Sequence, residues 1–87
     1  MTTPQKKNLY FVYLLECVDG TIYTGITTDV ERRFNEHTHG AGARYTRAHK
    51  ARKIIYSERY GTRSAALRRE AEIKRWPKER KRALTSP

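Results

Sequence analysis

A carboxylate inside an apolar helical face is the strongest chemical signal in this sequence. The spacing of apolar residues predicts a helix over residues 62–76, with an apolar arc that consists of Ala66, Leu67, Ala71 and Ile73. Glu70 falls in the middle of that arc, whereas Glu72 points the other way. Burial of a carboxylate costs free energy unless it is paired or binds a metal ion. We therefore expect either an ion pair with Arg63 or Lys74, or a site carboxylate that holds Mg²⁺ weakly, through waters and a substrate phosphate.

An arginine and a histidine border the apolar face of an earlier predicted helix. At 100° per residue, that face is formed by Val30, Phe34 and His37. Arg33 lies beside the face, one turn before His37, whereas Arg32 points into solvent. The Arg33 guanidinium can bind phosphate oxygens, or its stem can simply lie along apolar surface with its head in water. His37 likewise either takes part in a functional site or only forms a hydrogen bond at the edge of the core.

Two tyrosines are predicted on paired strands, and the turn between the strands decides whether they share a face. With a two-residue Asp-Gly turn, Tyr23 faces away from Tyr13. A three-residue Val-Asp-Gly loop with a bulge at Gly20 pairs residue 13 with residue 25 and puts both tyrosines on one face. The sequence is compatible with both turns. Gly25 suits a position that a phosphate or another backbone approaches closely.

Charge and composition narrow the class of partner. The 87 residues carry 19 Lys and Arg against 9 Asp and Glu, a net charge of +10 at pH 7. This excess favours nucleic acid, although a ribosomal-type RNA binder or a merely basic protein has the same composition. A single cysteine excludes an internal disulfide framework and a Cys-based zinc site. The longest apolar run, residues 9–15, is too short to span a bilayer, and the first residues do not resemble a signal peptide, so we expect a cytoplasmic protein without a membrane partner.

The element order is predicted as β-β-α-β-α with a short C-terminal helix, an α+β fold with a three-stranded, mainly antiparallel sheet. The predicted strands are 9–17, 21–27 and 53–58, and the predicted helices begin at Thr28 or Asp29, at Thr62 or Ser64, and at Lys78. Residues 40–52, GAGARYTRAHKAR, form a basic segment that we predict to be a loop. We expect a flexible arm over residues 1–8, one domain over 9–84 and a tail over 85–87.

Taken in chain order, these residues resemble the GIY-YIG nuclease superfamily, in particular its small single-domain bacterial members. The pattern consists of Val12-Tyr13, Tyr23-Thr24-Gly25, Arg33, His37 and Glu70, and the stretches YTGITTDVERR and RREAEIKRW are also similar. The resemblance covers about residues 9–80. Two motifs differ from the family pattern: this chain has FVY where the family has GIY, and YTG where the family has YIG. The resemblance implies a GIY-YIG β-β-α-β-α core and a metal-dependent phosphodiesterase.

The resemblance also implies a role for each residue that matches the pattern. Tyr13 is implied as the general base for the attacking water, and Tyr23 lines the site. Arg33 stabilises negative charge on the scissile phosphate, as a guanidinium is suited to do. His37 supports the arginine and the tyrosine. Glu70 anchors one divalent ion, Mg²⁺ or Mn²⁺, near the leaving oxygen.

The sequence departs from the family pattern after the last long helix. Many relatives carry an asparagine there, whereas this chain reads Trp76-Pro77-Lys78, so that contact is missing or is replaced, for example by Lys74. The better-known family enzymes also join this module to a separate domain that binds DNA or a partner. We expect this chain to bind nucleic acid through the module itself.

Nucleic-acid-binding residues are expected in and around the basic segment. They are Gly25, Thr27, Arg44, Tyr45, Thr46, Arg47, Lys50, Arg52 and Lys74. The cations would bind phosphates, Tyr45 would stack on a base, and the two threonines would donate hydrogen bonds at the rim. The alternative is that this segment is only a solvated basic surface.

The sequence thus predicts a metal-dependent DNA endonuclease that acts in repair, recombination or DNA processing. Single-stranded or branched DNA is favoured, because stacking on Tyr45 requires exposed bases. The alternative is a non-catalytic nucleic-acid-binding module of a repair complex. A carboxylate that faces the phosphates argues against that alternative. A homodimer or a larger repair complex is compatible with so small a sheet, and DNA binding would place the protein at the nucleoid.

Overall fold

The computed structural model describes residues 9–40 and 42–85. Its elements are β1 (Tyr10–Cys17), β2 (Ile22–Thr27), α1 (Val30–Thr38), α2 (Arg44–Ala48), β3 (Ala51–Tyr60), α3 (Arg63–Lys74) and α4 (Lys78–Ala83). The α+β order that the sequence predicts is therefore confirmed, with α2 as an addition. The predicted arm over residues 1–8 and the last two residues of the predicted tail lie outside the described residues.

Strand β1 is the centre of the sheet, because its residues are apolar on both faces. The strand order is β2-β1-β3, and both pairings are antiparallel. Four consecutive side chains of β1 are fully buried: Val12, Tyr13, Leu14 and Leu15. Since β1 is paired on both sides, β2 and β3 form the two edges of the sheet.

The β1–β2 turn settles the question of the two tyrosines. Tyr13 pairs with Gly25, and Leu15 pairs with Tyr23, as the three-residue loop requires. Gly20 has φ +86°, a conformation that a glycine adopts without strain. The backbone N–H of Gly20 donates to the carbonyl of Cys17 at 2.9 Å. Tyr13 and Tyr23 therefore lie on the same face of the sheet.

The helix starts follow the predicted caps, but the basic segment does not follow its predicted loop. Asp29 caps α1 by accepting from the Arg32 N–H at 3.0 Å, and Thr62 caps α3 by accepting from the Ala65 N–H at 3.1 Å. Within residues 40–52 the structure has the helix α2 and the beginning of β3, so the prediction of a loop was wrong. Ala43, the N-cap residue of α2, has no polar side chain with which to cap the helix. The helix is instead fixed by the burial of its central residue, Thr46.

Helix α3 packs on the face of the sheet opposite to the two tyrosines. The core on that side contains Val12, Leu14, Ile22, Ala66 and Ile73. Ala71, which the predicted apolar arc included, is exposed, because the buried stripe of α3 follows the seven-residue step from Ala66 to Ile73. Glu70 lies on this stripe, between those two residues.

The short helix α4 is tied to the β1–β2 hairpin. The Arg82 guanidinium donates to the Glu16 carboxylate at 3.1 Å and to the carbonyl of Gly20 at 3.3 Å. Cys17, at the end of β1, is completely buried, and burial raises the pKa of its thiol. Within the two described stretches of chain, we find no helix with the length and hydropathy needed to cross a bilayer.

Candidate active site

A chain of hydrogen bonds joins β1, α1 and α2. His37 Nδ1 lies 2.6 Å from Thr46 Oγ1, and the Thr46 hydroxyl itself donates to the carbonyl of Ala43 at 3.0 Å. Because the Thr46 hydrogen is used in this way, Thr46 Oγ1 accepts the Nδ1–H of His37. Nε2 of His37 is then the unprotonated nitrogen, and it accepts the hydroxyl hydrogen of Tyr13 at 2.9 Å. The tautomer of His37 thus follows from its neighbours.

Tyr13, Tyr23 and His37 form one aromatic cluster. The ring centroids of Tyr13 and Tyr23 are 6.1 Å apart, and those of Tyr23 and His37 are 5.1 Å apart with an edge-on arrangement. Gly25 makes this packing possible, because a Cβ at that position would lie 2.8 Å from the Tyr13 hydroxyl oxygen and 2.9 Å from Tyr23 Cε2. The close approach that the sequence suggested for Gly25 is therefore made by the tyrosine rings.

Gly42 has a similar role beside His37. A Cβ at residue 42 would clash with the imidazole ring and would lie 2.7 Å from the Cα of His37. The turn between α1 and α2 thus passes directly against the histidine. The absence of a side chain at residue 42 lets α2 approach closely enough for Thr46 to reach Nδ1.

Arg33 lies beside the tyrosine and is already paired. One of its terminal nitrogens, Nη1, is 2.8 Å from Glu36 Oε1. This pairing raises the pKa of Arg33 and lowers the pKa of Glu36. Arg33 is only partly exposed, whereas the neighbouring Arg32 is mostly exposed, as the helical positions predicted. The contact between Glu36 and Arg33 was not predicted from the sequence.

Burial controls the protonation of the tyrosine and the histidine. Tyr13 is 1% exposed, and burial raises its pKa further than the charge of Arg33 lowers it. Burial, together with the Arg33 charge, lowers the pKa of His37 to about 4. At neutral pH, the free protein therefore holds a neutral phenol hydrogen-bonded to a neutral imidazole.

Glu70 has the ion-pair partner that one of the two sequence hypotheses offered. Lys74 Nζ lies 3.4 Å from Glu70 Oε2, one turn further along α3. The Glu70 side chain is only 17% exposed, and that of Lys74 is half exposed. Arg63, the other partner considered, instead lines a cavity together with Arg33.

Two cavities follow the free edge of the sheet along β2. The first has a volume of about 390 Å³, and its lining includes Arg32, Arg33 and Arg63. The second has a volume of about 270 Å³, and its lining includes Tyr23 and Lys74. Arg63, Glu70 and Lys74 share one face of α3, since they are seven and four residues apart. Along this face Glu70 lies between Arg63, which lines the first cavity, and Lys74, which lines the second, but Glu70 itself lines neither.

The basic side chains of the segment 40–52 lie on different surfaces of the protein. Arg44 and Arg47 are exposed on α2, and Arg47 and Lys50 line a third cavity, of about 370 Å³, with His37. Arg52 lies on β3, where its guanidinium is 3.9 Å from Glu16. Tyr45 is 36% exposed and packs between Tyr23 and His49.

Thr27 and Thr46 were predicted to donate hydrogen bonds at the rim of the nucleic-acid-binding surface, but neither presents its hydroxyl there. Thr46 is buried and is used by His37 and Ala43. Thr27 is also buried, and its hydroxyl accepts from the Asp29 N–H at 3.1 Å, at the entry to α1. Both hydroxyls therefore stabilise the turns that position the site.

One divalent ion fits the donors that the chain offers. In residues 9–40 and 42–85, no three or more His, Cys, Asp or Glu side chains are grouped as a metal site. Among the described residues, Glu70 is a largely buried carboxylate between Arg63 and Lys74, whereas Glu36, which lines the first cavity, is already paired with Arg33. Mg²⁺ is commonly held by one or two carboxylates, with waters and substrate phosphates completing its coordination. The donor set therefore suits an ion that binds together with its substrate.

Two further residues near the site were not found from the sequence. His49 stacks on Tyr45 with ring centroids 4.3 Å apart, and its Nδ1 is 2.6 Å from Asp19 Oδ2. Lys81 of α4 lines the same cavity as Tyr23. The His49–Asp19 contact and the position of Lys81 beside Tyr23 involve residues far apart in the chain, so local spacing gave no signal for them. The Arg33–Glu36 pair, by contrast, has the three-residue helical spacing that predicts an ion pair.

Comparison with known proteins identifies similar chains. The model of the GIY-YIG catalytic domain family matches residues 9–83. The chain is 51% identical over 75 residues to a UPF0213 protein of Haloquadratum walsbyi, covering 86% of this chain and 84% of that one. It is 53% identical over 75 residues to a UPF0213 protein of Cupriavidus necator, covering 86% and 82% of the two chains.

Solved structures show the same architecture. The solution structure of a UPF0213 protein from Bacillus halodurans has a TM-score of 0.55 and 39% identity, covering 87% of this chain and 81% of that one. The solution structure of a protein from E. faecalis has a TM-score of 0.59 and 38% identity, covering 93% and 83%. These likenesses confirm the three-stranded α+β fold.

Proposed function

The chain belongs to the GIY-YIG catalytic domain family, and from that membership and the site geometry we propose that it is a divalent-metal-dependent endonuclease that hydrolyses DNA phosphodiester bonds. One observation carries the proposal. Four residues that match the family pattern lie together: Tyr13, Tyr23 and His37 form one cluster, and Arg33 lies beside it. The fifth, Glu70, lies on α3, paired with Lys74.

Tyr13 and His37 are proposed to handle the proton of the attacking water. The Tyr13 hydroxyl donates to His37 Nε2, so the phenol can pass its proton to the imidazole and then take a proton from water. Because burial keeps both groups neutral in the free protein, this transfer requires the substrate complex. Thr46 keeps Nε2 directed at Tyr13 by accepting from the other ring nitrogen.

Arg33 is proposed to bind the scissile phosphate. Its guanidinium has five N–H donors, so it can keep Glu36 and still direct donors at phosphate oxygens. The neighbouring cations of the same cavity, Arg32 and Arg63, would bind the flanking phosphates. Arg33 would in this way hold the phosphate in front of Tyr13 and stabilise its developing charge.

Glu70 is proposed to hold one Mg²⁺ or Mn²⁺ together with a phosphate oxygen. Such an ion, when bound, supplies stabilisation of the charge on the leaving 3′-oxygen. Before this happens, Glu70 must separate from Lys74, which then becomes free for a phosphate.

The substrate is proposed to be single-stranded or branched DNA, in repair, recombination or DNA processing. Tyr45 is exposed enough to contact an unpaired base, and the net charge of +10 favours a polyanion. The proposed location is the cytoplasm, at the nucleoid when bound to DNA.

A non-catalytic nucleic-acid-binding module is the second candidate, and the ion pairs of the site favour it. Arg33 is paired with Glu36 and Glu70 is paired with Lys74. In a pure binder these two pairs would stay closed, and the carboxylate would have a structural role only.

The deciding experiment compares Glu70→Gln with the matched control Glu72→Gln, which removes an exposed carboxylate from the same helix. Labelled single-stranded, forked and duplex DNA is incubated with Mg²⁺ or Mn²⁺, and binding is measured at the same salt concentration. We expect the wild type and the control to cut, and Glu70→Gln to bind without cutting. A wild type that binds every substrate and cuts none would replace the endonuclease with the binding module.

A further inference from the structure

The second cavity of the β2 edge has features that the proposed chemistry does not use. It lies where β2, α2, the end of α3 and α4 meet, and its volume is about 270 Å³. Its lining consists of Ile22, Tyr23, Thr24, Tyr45, Lys74 and Lys81. We call it the edge cavity.

A buried hydroxyl in the edge cavity has an unmet hydrogen bond. Thr24 is 3% exposed, and its Oγ1 has no hydrogen-bond partner within residues 9–40 and 42–85. Thr27 and Thr46, which are also buried in the described part of the chain, are both hydrogen-bonded. Buried polar atoms in proteins are nearly always paired, so the Thr24 hydroxyl points to a polar group that binds in this cavity.

The positive charge of the edge cavity is only partly neutralised. Lys74 and Lys81 both line it, and the pKa of Lys81 is lowered by burial and by the charge of Lys74. Glu70 pairs with Lys74 alone, and Lys81 has no ion pair with a carboxylate of the described residues. An anion between the two ammonium groups would remove their repulsion and compensate for the partial burial of Lys81.

The remaining wall is aromatic and held in place. Tyr23 and Tyr45 have ring centroids 5.8 Å apart, and His49 stacks on Tyr45. Asp19 in turn fixes His49, because their side chains are 2.6 Å apart. A flat aromatic group can contact this wall at low entropic cost, since Tyr45 is already oriented.

We propose that the edge cavity binds a single nucleotide unit, with its phosphate between Lys74 and Lys81, its base against Tyr45, and a polar atom hydrogen-bonded to Thr24. The proposal rests on the proposed function, because it assigns to the nucleotide beside the cut a binding site of its own. The same chemistry describes a free nucleotide and a nucleotide within a strand, so the experiment must separate the two.

The test uses the full chain with a chelator, so that no cutting occurs and the Glu70–Lys74 pair stays intact. The probes are thymidine 5′-monophosphate and a nine-residue oligothymidine, and binding is followed by fluorescence anisotropy and by amide NMR shifts. Lys81→Gln and Tyr45→Leu are compared with Lys78→Gln, which removes the same charge from α4 but does not line the cavity. Thermal unfolding confirms that each variant is folded.

We expect the amide signals of Thr24, Tyr45 and Lys81 to move on addition of the oligonucleotide. Tyr45→Leu should weaken its binding by about fivefold or more. Lys81→Gln should reduce the slope of log affinity against log salt by about 0.7, the share of one phosphate on a single strand. Shifts with the mononucleotide as well would show that one nucleotide unit suffices, and shifts with the oligonucleotide alone would assign the site to a strand.

The proposal is overturned if Lys81→Gln and Tyr45→Leu bind the oligonucleotide as Lys78→Gln does. This outcome is separate from failure of the proposed function. Cutting by the wild type with no effect at the edge cavity would reject only the nucleotide site. Binding at the edge cavity with no cutting under any condition would reject only the endonuclease.

Discussion

Tyr13 and Gly25 are opposite one another in the β1–β2 register, and the space above Gly25 is filled by the Tyr13 hydroxyl. A Cβ on residue 25 would lie 2.8 Å from that oxygen. The glycine therefore determines where the proposed base lies, although it has no functional group of its own. This relationship gives a direct way to move the tyrosine without removing it.

Gly25→Ala should displace Tyr13 and reduce cutting by about 100-fold, because displacement of a reacting group by about 1 Å has that effect. Overpacking should also lower the free energy of unfolding by roughly 1–3 kcal/mol. Gly61→Ala is the matched control, since a Cβ there meets nothing within 4 Å. Cleavage rates and urea denaturation measure the two effects. Equal cutting by both variants would show that the position of Tyr13 is unimportant.

Tyr13→Phe should abolish proton transfer while leaving the ring in place. We expect cutting to fall by roughly 10²- to 10⁴-fold, the usual contribution of a general base. DNA binding should stay the same, because the lost hydroxyl donates to His37 and the proposed phosphate contacts come from Arg33 and the neighbouring cations. Tyr56→Phe is the control on the neighbouring strand β3, since Tyr56 packs against the core on the opposite, α3 side of the sheet and lines neither cavity of the β2 edge. Full activity of Tyr13→Phe, measured in single-turnover cleavage, would remove Tyr13 from the mechanism.

His37 should make the protein less stable as the pH falls from 6.5 to 4. The folded-state pKa is about 4, below the ordinary value of 6.5, so in this window the unfolded chain takes up a proton that the folded protein does not. The stability lost by pH 4 is roughly 2–3 kcal/mol. Denaturation at a series of pH values measures the slope.

His37→Gln should remove that slope and lower stability at pH 7, because Tyr13 and Thr46 lose their shared partner. His39→Gln, at the exposed residue that directly follows the same helix, is the control for the substitution itself. A slope that persists in His37→Gln would assign the pH dependence to other groups.

Lys74→Gln should strengthen metal binding at Glu70. The ammonium lies 3.4 Å from the carboxylate and competes with a divalent cation. Half-exposed ion pairs contribute up to about 1 kcal/mol, so the Mg²⁺ concentration for half-maximal cutting should fall by roughly two- to fivefold. A Mg²⁺ titration of the cleavage rate gives this midpoint, with Lys78→Gln as the control. A midpoint that stays the same or rises would show that Lys74 does not compete for Glu70.

The strands and the two long helices could be predicted from sequence because their signals are local. The continuous apolar run of β1, the Asp29 and Thr62 caps, and the position of Glu70 in an apolar stripe each depend on neighbours a few residues away. The hairpin register could not be chosen in the same way, because an Asp-Gly pair is compatible with both turns and the choice depends on what each face packs against.

The geometry of the site depends on contacts between distant residues. Helix α2 lacks a side-chain cap and is held by Thr46 against His37, nine residues earlier. Lys81 reaches the edge cavity because Arg82 ties α4 to Glu16, 66 residues away. These contacts leave no periodic pattern in the sequence, and the segment around α2 was therefore predicted to be a basic loop.

The rate at which the single cysteine, Cys17, is labelled can show whether each variant described above keeps its fold. Cys17 is completely buried at the end of the central strand, and the raised pKa of its thiol keeps it in the unreactive form. A thiol reagent can label it only when β1 is released from its neighbours. The labelling rate therefore reports how readily the sheet opens, without any engineered cysteine, and separates a variant with a damaged site from one whose fold has loosened.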